Sequence, residues 1–187
     1  MAQSPTIYQF DISLAHVDRD VYETLGLRVA CHPSETPDFL LTRVLAYCLE
    51  YREGISFGKG FTEPGEPALA VHDLTGALTT WIDVGAPDPA RLHKASLTVP
   101  RVVLYTHKDP RTLLPQLTAA RIHRADRLEV YSLDRDFLGA LAGRLERRTR
   151  LAVSVSDAHL YVLAGEESFS AAVERHAVTA GEPRRAS

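Results

Sequence analysis

Two carboxylates on neighbouring strand-like runs form the sharpest chemical pattern in this sequence. Glu66-Pro67-Ala68-Leu69-Ala70-Val71-His72-Asp73 is followed, across Leu74-Thr75-Gly76, by Leu78-Thr79-Thr80-Trp81-Ile82-Asp83-Val84-Gly85. Successive side chains of a strand point to opposite faces. One face then carries Leu69, Val71, Leu78, Ile82 and Val84, which is a core pattern. The other carries Glu66, Ala68, Ala70, Thr79, Trp81 and Asp83, and its two alanines leave space beside the acids. A two-residue turn at Thr75-Gly76 sets Asp83 opposite Ala68 with Glu66 diagonal to it. A four-residue turn sets Asp83 directly opposite Glu66, and a three-residue turn breaks the arrangement. Either favourable register brings the two backbone positions within about 5 to 8 Å. Carboxylates that close repel unless a cation or a shared proton lies between them. Oxygen ligands of this kind suit magnesium or manganese, and such an ion polarises a phosphoryl oxygen and activates water. The plainer alternative makes Glu66 a loop residue and Asp83 the end of a solvent-facing strand.

Other side chains enter the same chemistry less directly. Arg91 and Lys94, three apart, share one face of the helix that follows Gly85. If that helix folds back over its strand, Lys94 reaches the carboxylates and stabilises developing negative charge or orients water; otherwise it is an exposed helix lysine. His32, beside Cys31 and Glu35, reads as a general base or, more commonly, a capping or core histidine. Asp73 precedes a turn, where aspartate routinely binds backbone, and stays a secondary metal candidate. Arg121, His123, Arg124 and Arg127 form one basic run and Arg144, Arg147, Arg148 and Arg150 another. If the two runs met on one surface they would make a phosphate-binding track.

The elements that must position these residues follow from periodicity and punctuation. Residues 6–14 alternate as a strand, with 25–30 as a hairpin partner. Thr36-Pro37 is an N-cap and first-turn pair, and Leu40, Val44, Tyr47, Cys48 and Tyr51 recur at helical spacing, so a helix runs over about 37–51. Strands are expected at 68–72 and 78–84, then a helix capped at Asp88-Pro89 and ended by Pro100. A strand at 101–106, a helix at 112–121, a strand at 128–133 and a helix at 134–147 follow, and strands at 151–155 and 159–163 close the ordered fold. Strands alternating with helices imply an α/β (α+β) chain with a central mixed sheet flanked by helices. The expected organisation is one domain over 1–179 and a disordered tail over 180–187, where Gly181, Pro183, Arg184 and Arg185 accompany no apolar anchor.

Thr6-Ile7-Tyr8, His32-Pro33-Ser34-Glu35-Thr36, Glu66-Pro67, Trp81-Ile82-Asp83-Val84-Gly85 and Lys94-Ala95, taken in order, resemble the YaeQ family over nearly the whole chain. That resemblance implies a divergent restriction-endonuclease-like fold of the PD-(D/E)XK group, similar to transposon-end endonucleases. In that group a helix glutamate, an acid opening one hairpin strand and a D/E-x-K on the other hold a divalent metal. Carried onto this chain, Glu66 is the first strand's acid and Asp83 the D/E position. The lysine position falls on Gly85, a departure, with Lys94 as the migrated replacement. Glu35 is the preferred first-helix acid and Glu50 the alternative. The expectation is a metal-dependent nuclease in which Glu35, Glu66 and Asp83 bind magnesium or manganese and Lys94 supports the attack. The alternative, motivated by Gly85 and the acidic balance, is a non-catalytic protein- or nucleic-acid-binding module on a degenerate nuclease fold.

Bulk properties bound these readings. The 187 residues are 45% apolar and 24% charged, with a formal net charge of −3. That size suits one core, and the charge disfavours general coating of duplex nucleic acid, though a local basic patch leaves room for nucleic acid as a partner; a monomer is expected, and the sequence names no protein partner. Cys31 and Cys48 form no Cys-x-x-Cys pair and fit a reducing compartment. Neither a signal-peptide pattern nor a run of about 18 apolar residues occurs, so a cytoplasmic chain that does not engage a membrane is expected.

Overall fold

A computed structural model describes residues 4–59 and 63–179; the tail expected over 180–187 lies outside the described residues. Strand β1 (Thr6–His16) and β2 (Val21–Cys31) form a long antiparallel hairpin. Helix α1 (Pro37–Leu49) follows, then β3 (Ile55–Phe57), β4 (Leu69–His72), β5 (Leu78–Val84), α2 (Pro89–Thr98), β6 (Arg101–Thr106) and α3 (Pro110–Ala119). The fold continues with β7 (Glu129–Leu133), α4 (Arg135–Ala142), β8 (Arg148–Ser156), β9 (His159–Ala164) and β10 (Glu167–His176). The expected mixed sheet with flanking helices is therefore present. Among the described residues no helix is long and apolar enough to cross a membrane.

Local chemistry explains the helix starts. Thr36 Oγ1 accepts the Phe39 N–H at 3.2 Å, Asp88 accepts Ala90 N–H and Asp134 accepts Phe137 N–H. Pro37, Pro89 and Pro110 open three of the helices, where their missing N–H costs nothing. Helix α4 ends at Ala142 rather than near 147. Past its C-cap Gly143, Thr149 exchanges hydrogen bonds with Glu146 and turns the chain into β8.

The ten strands form one sheet in the order β2-β1-β8-β9-β10-β7-β6-β5-β4-β3. Pairs β1–β8, β5–β6 and β6–β7 are parallel and the others antiparallel. Strand β10, which the sequence analysis does not anticipate, pairs with both β9 and β7 and so joins the two halves. One face of the sheet is continuous core. Phe10 and Ile12 of β1, Leu69 of β4, Ile82 of β5 and Val153 of β8 pack there against Leu41, Val44 and Leu45 of α1 and Leu138 of α4. Among the described residues the opposite face is covered by helices only over β5–β7, where Trp81, Leu104 and Val130 meet Leu92 of α2 and Leu117 of α3 in a second, smaller core.

A candidate hairpin site closed by an arginine

The hairpin reaches its register by an indirect route. Asp73 N–H bonds Ala77 C=O at 2.9 Å and Gly76 N–H bonds Asp73 C=O at 2.9 Å, so the loop is the three residues Leu74, Thr75 and Gly76. Gly76 sits at φ 84°, the left-handed position such a loop needs. A three-residue turn alone would turn Asp83 to the wrong face. Instead His72 pairs with Leu78 and Val71 with Thr80, so Thr79 is an extra residue, a bulge. Past it, Leu69 pairs with Ile82, the register of the two-residue turn, and Asp83 lies opposite Ala68. The bulge also moves Leu78 off the main core face and onto the α2 side.

Asp83 is 3% exposed, and its carboxylate is filled by donors. Arg91 gives Nε to Oδ2 at 2.8 Å and a guanidinium N–H to Oδ1 at 2.9 Å, a bidentate pair. Trp81 Nε1 donates to Oδ2 at 2.8 Å and Ala68 N–H to Oδ1 at 3.4 Å. The guanidinium lies 5.1 Å from the Trp81 ring centroid and also donates to the Pro64 carbonyl, at 2.6 Å, and to the Glu66 carbonyl. Arg91 thus occupies the space beside Ala68 and Ala70 and ties the 64–66 loop to α2. As the sequence allows, α2 does fold back over β5. Arg91, one turn nearer the strand end, reaches Asp83, while Lys94 is exposed and forms no ion pair with a described residue.

The other expected ligands have gone elsewhere. Glu66 turns its carboxylate to the Lys59 N–H at 3.2 Å. Glu35 is buried against Arg43, at 3.2 Å, on the α1 side of the sheet, where Arg43 lies about equally far from the Phe39 and Phe57 rings, 6.0 and 5.9 Å. Burial raises the Glu35 carboxyl above its ordinary range, opposed by the Arg43 charge, and pushes the adjoining Cys31 thiol up to about 11. Glu50, the alternative acid, caps the end of α1 and takes Arg101 at 2.6 and 3.0 Å and the Tyr105 hydroxyl at 2.9 Å. Arg101 also grips Glu129. Since Arg101 is opposite Thr80, this network lies toward the start of β5, away from Asp83. Among the described residues no group of three or more His, Cys, Asp or Glu side chains is arranged to hold a metal ion.

Gly85, the position where the resemblance places a lysine, has φ 85°. A Cβ there would lie 3.2 Å from the Phe39 ring and 3.6 Å from the His107 ring. Backbone and packing together exclude a lysine of ordinary conformation. Asp73 accepts Thr75 N–H, Thr75 hydroxyl and Ala77 N–H, which is turn chemistry. His32 Nδ1 meets the Ser34 hydroxyl at 2.6 Å in the loop before α1. The two basic runs line different depressions, Arg124 and Arg127 with Ser96 and Val99, and Arg144, Arg148 and Arg150 with Glu146 and Glu167. Sequence reasoning missed the partners of the acids. Arg91 stood eight residues from Asp83 on a face already noted, so spacing could have found it; Arg101, fifty-one residues from Glu50, gave no such signal.

Fold and site together define a mixed α+β protein in which a half-buried arginine locks the buried carboxylate of its acidic hairpin in bidentate geometry. The chain belongs to the YaeQ family, whose profile, described as YaeQ protein, matches residues 1–173. It is 26% identical over 163 residues, 87% of this chain and 90% of that one, to the uncharacterized protein YaeQ of Escherichia coli (strain K12). The crystal structure of YaeQ protein from Pseudomonas syringae superposes with TM-score 0.85 at 30% identity, covering 94% of this chain and 96% of that one. That of YaeQ protein from Xanthomonas axonopodis pv. citri gives 0.84 at 29%, covering 94% and 100%.

Proposed function

We propose that this chain is a non-catalytic binding module on a divergent restriction-endonuclease-like scaffold, in which an arginine has taken the place of a metal ion. The observation that carries this reading is the Asp83–Arg91 pair. A guanidinium delivered in bidentate geometry to a buried carboxylate supplies the positive charge that Asp83 needs inside the protein. It also fills the space that a cation and its water would require. Glu66 and Glu35 have separate donors, and Lys94 faces solvent. The scaffold assignment rests on the ordered motifs shared with the family.

The metal-dependent nuclease remains the second reading, favoured by one observation. The bulge at Thr79 restores the register that sets Asp83 opposite Ala68, so departure of Arg91 would leave Asp83 without its counter-charge beside the loop that carries Glu66. Calorimetric titration of manganese into the wild-type chain and into Asp83→Asn separates the two. The binding-module reading expects no saturable heat from either protein. Tight binding by wild type that Asp83→Asn abolishes would overturn it and restore the nuclease.

A further inference from the structure

The helical layer over one face of the sheet is half complete. On the face that α2 and α3 cover over β5–β7, the strands β2, β1, β8, β9 and β10 carry no helix of this chain among the described residues. Their pairing sets Tyr22, Ala15, Ser154, Tyr161 and Ser170 in one cross-strand row. Thr24, Ser13, Ala152, Leu163 and Ser168 make the next. The floor on β1 and β8 is therefore only alanine and serine, and the sides on β2 and β9 are raised by Tyr22, Tyr161 and Leu163, which are 61%, 50% and 43% exposed. The result is a depression of about 940 Å³. Exposed aromatic and aliphatic side chains concentrated round such a hollow mark a contact surface rather than ordinary protein exterior.

Its two ends carry opposite charge. Toward one end the rows continue as Gly26, Asp11 and Arg150, then Arg28, Gln9 and Arg148. Arg148 pairs with Asp11 at 2.8 Å, while Arg28 and Arg150 are not within salt-bridge distance of any described carboxylate. Beyond the other end lie Asp18, Asp20 and Asp157, with Asp18 bound to the backbone of the β8–β9 turn. The walls stand three strand spacings apart, about 14 Å, and an α-helix with its side chains is about 10 to 12 Å across. The trough runs about 20 Å from Ala15 to Gln9, about 13 residues of helix.

We propose that this trough binds an amphipathic α-helix of a partner protein, which completes the layer that α2 and α3 begin. Its apolar face, with small or aliphatic side chains, lies on the Ala–Ser floor between the tyrosines. Its N-terminus points to the acidic end, and its C-terminal turns, carrying acidic side chains, lie beside Arg28 and Arg150, so that helix dipole and side-chain charge both match the trough. A polyanionic nucleic acid running the length of the trough would meet the carboxylates of Asp18, Asp20 and Asp157 at its far end.

The inference rests on the binding-module reading and is tested apart from it. A phage library of amphipathic helical peptides of about 16 residues is selected against the wild-type chain. Enriched peptides are then measured by fluorescence anisotropy against Ala152→Arg, Ser13→Arg, Ala152→Ser and, on the exposed side of α2, Leu97→Arg. Ala152 and Ser13 are exposed, so either arginine fills the trough without disturbing the core, and circular dichroism verifies each fold. The expected result is enrichment of acidic-tailed helices whose affinity falls at least about tenfold in both trough variants and is unchanged in Ala152→Ser and Leu97→Arg. No enrichment, or peptides indifferent to both arginines, overturns the inference. So does finding that what Ala152→Arg abolishes is self-association in sedimentation or the binding of an oligothymidylate probe. Manganese binding that depends on Asp83 sinks the underlying reading, whereas its absence together with an unoccupied trough sinks only this inference.

Discussion

Four N–H groups converge on the Asp83 carboxylate, two of them from Arg91. Burying one charge without its partner is far more costly than burying neither. Arg91→Ala is therefore expected to lower stability by about 3 to 5 kcal/mol, because Trp81 and Ala68 supply dipoles but no charge. The double variant Asp83→Ala/Arg91→Ala is expected to cost clearly less than the sum of its single changes, since it leaves no orphaned charge. Urea denaturation of the four proteins measures both quantities. Strict additivity would mean that the pair is not coupled and that Arg91 merely packs. The same locality explains why Lys94 was the wrong residue to expect at the acids. The helix was placed correctly, but the first turn of α2 and not the second adjoins the strand end, and Arg91 also finds the 64 and 66 carbonyls there.

At the scale of elements, the hairpin works because two irregularities cancel. The three-residue loop shifts the pairing by one, and Thr79 shifts it back. A one-residue slip moves every later side chain to the other face. Deleting Thr79 is thus expected to turn Trp81 and Asp83 together toward the main core and to abolish cooperative folding. Gly76→Ala, where a Cβ meets nothing within 4 Å and only the left-handed backbone is strained, should cost about 1 to 2 kcal/mol and keep the fold. Thermal denaturation that found the deletion no worse than the glycine change would refute the bulge argument. What the sequence made legible here was local: the caps at Thr36, Asp88 and Asp134, the strand at 101–106, and the two acids on one hairpin. What it hid was relational. β10 has only Ala171, Val173 and a half-buried Phe169 on its inner side, too weak an alternation to announce the strand that joins both halves. The parallel pairing of β1 with β8, more than a hundred residues away, leaves no local trace. Glu35, Glu66 and Asp83 have motif spacing, yet their neighbours, Arg43, the Lys59 backbone and Arg91, decide what each carboxylate does.

The main core crosses the join. Leu133 of β7, Val173 of β10, Val153 of β8 and Ile82 of β5 belong to the same buried cluster around α1 and α4, and the smaller core under α2 and α3 rests on β5–β7, strands that also border it, so opening either half breaks the main core. Far-UV circular dichroism, which sees all strands, and fluorescence of Trp81, which reports the α2 side, are expected to follow a single transition. The acid dependence of that transition comes from groups inside the fold. His107 is 3% exposed, with Nδ1 unpartnered, and packs edge-on to Phe39. Burial, reinforced by the Lys108 and Arg135 charges and opposed by Asp38, lowers it from 6.5 to about 4. His16, likewise buried, is lowered by burial and by Arg19. A histidine whose folded-state value is depressed takes its proton first in the unfolded chain, so the unfolded state binds more protons between the two values. Stability is then full above about pH 6.5 and is lost as the pH falls toward 4, with His107 accounting for about 2 kcal/mol by pH 5. Urea unfolding at pH 7 and pH 5 should show that loss in the wild-type chain, coincident by both probes. In His107→Gln most of it should disappear, leaving a smaller remainder from His16. A pH dependence unchanged in His107→Gln would mean that its ring is already solvated in the folded protein. Two separated transitions would mean that the β10 join does not couple the halves.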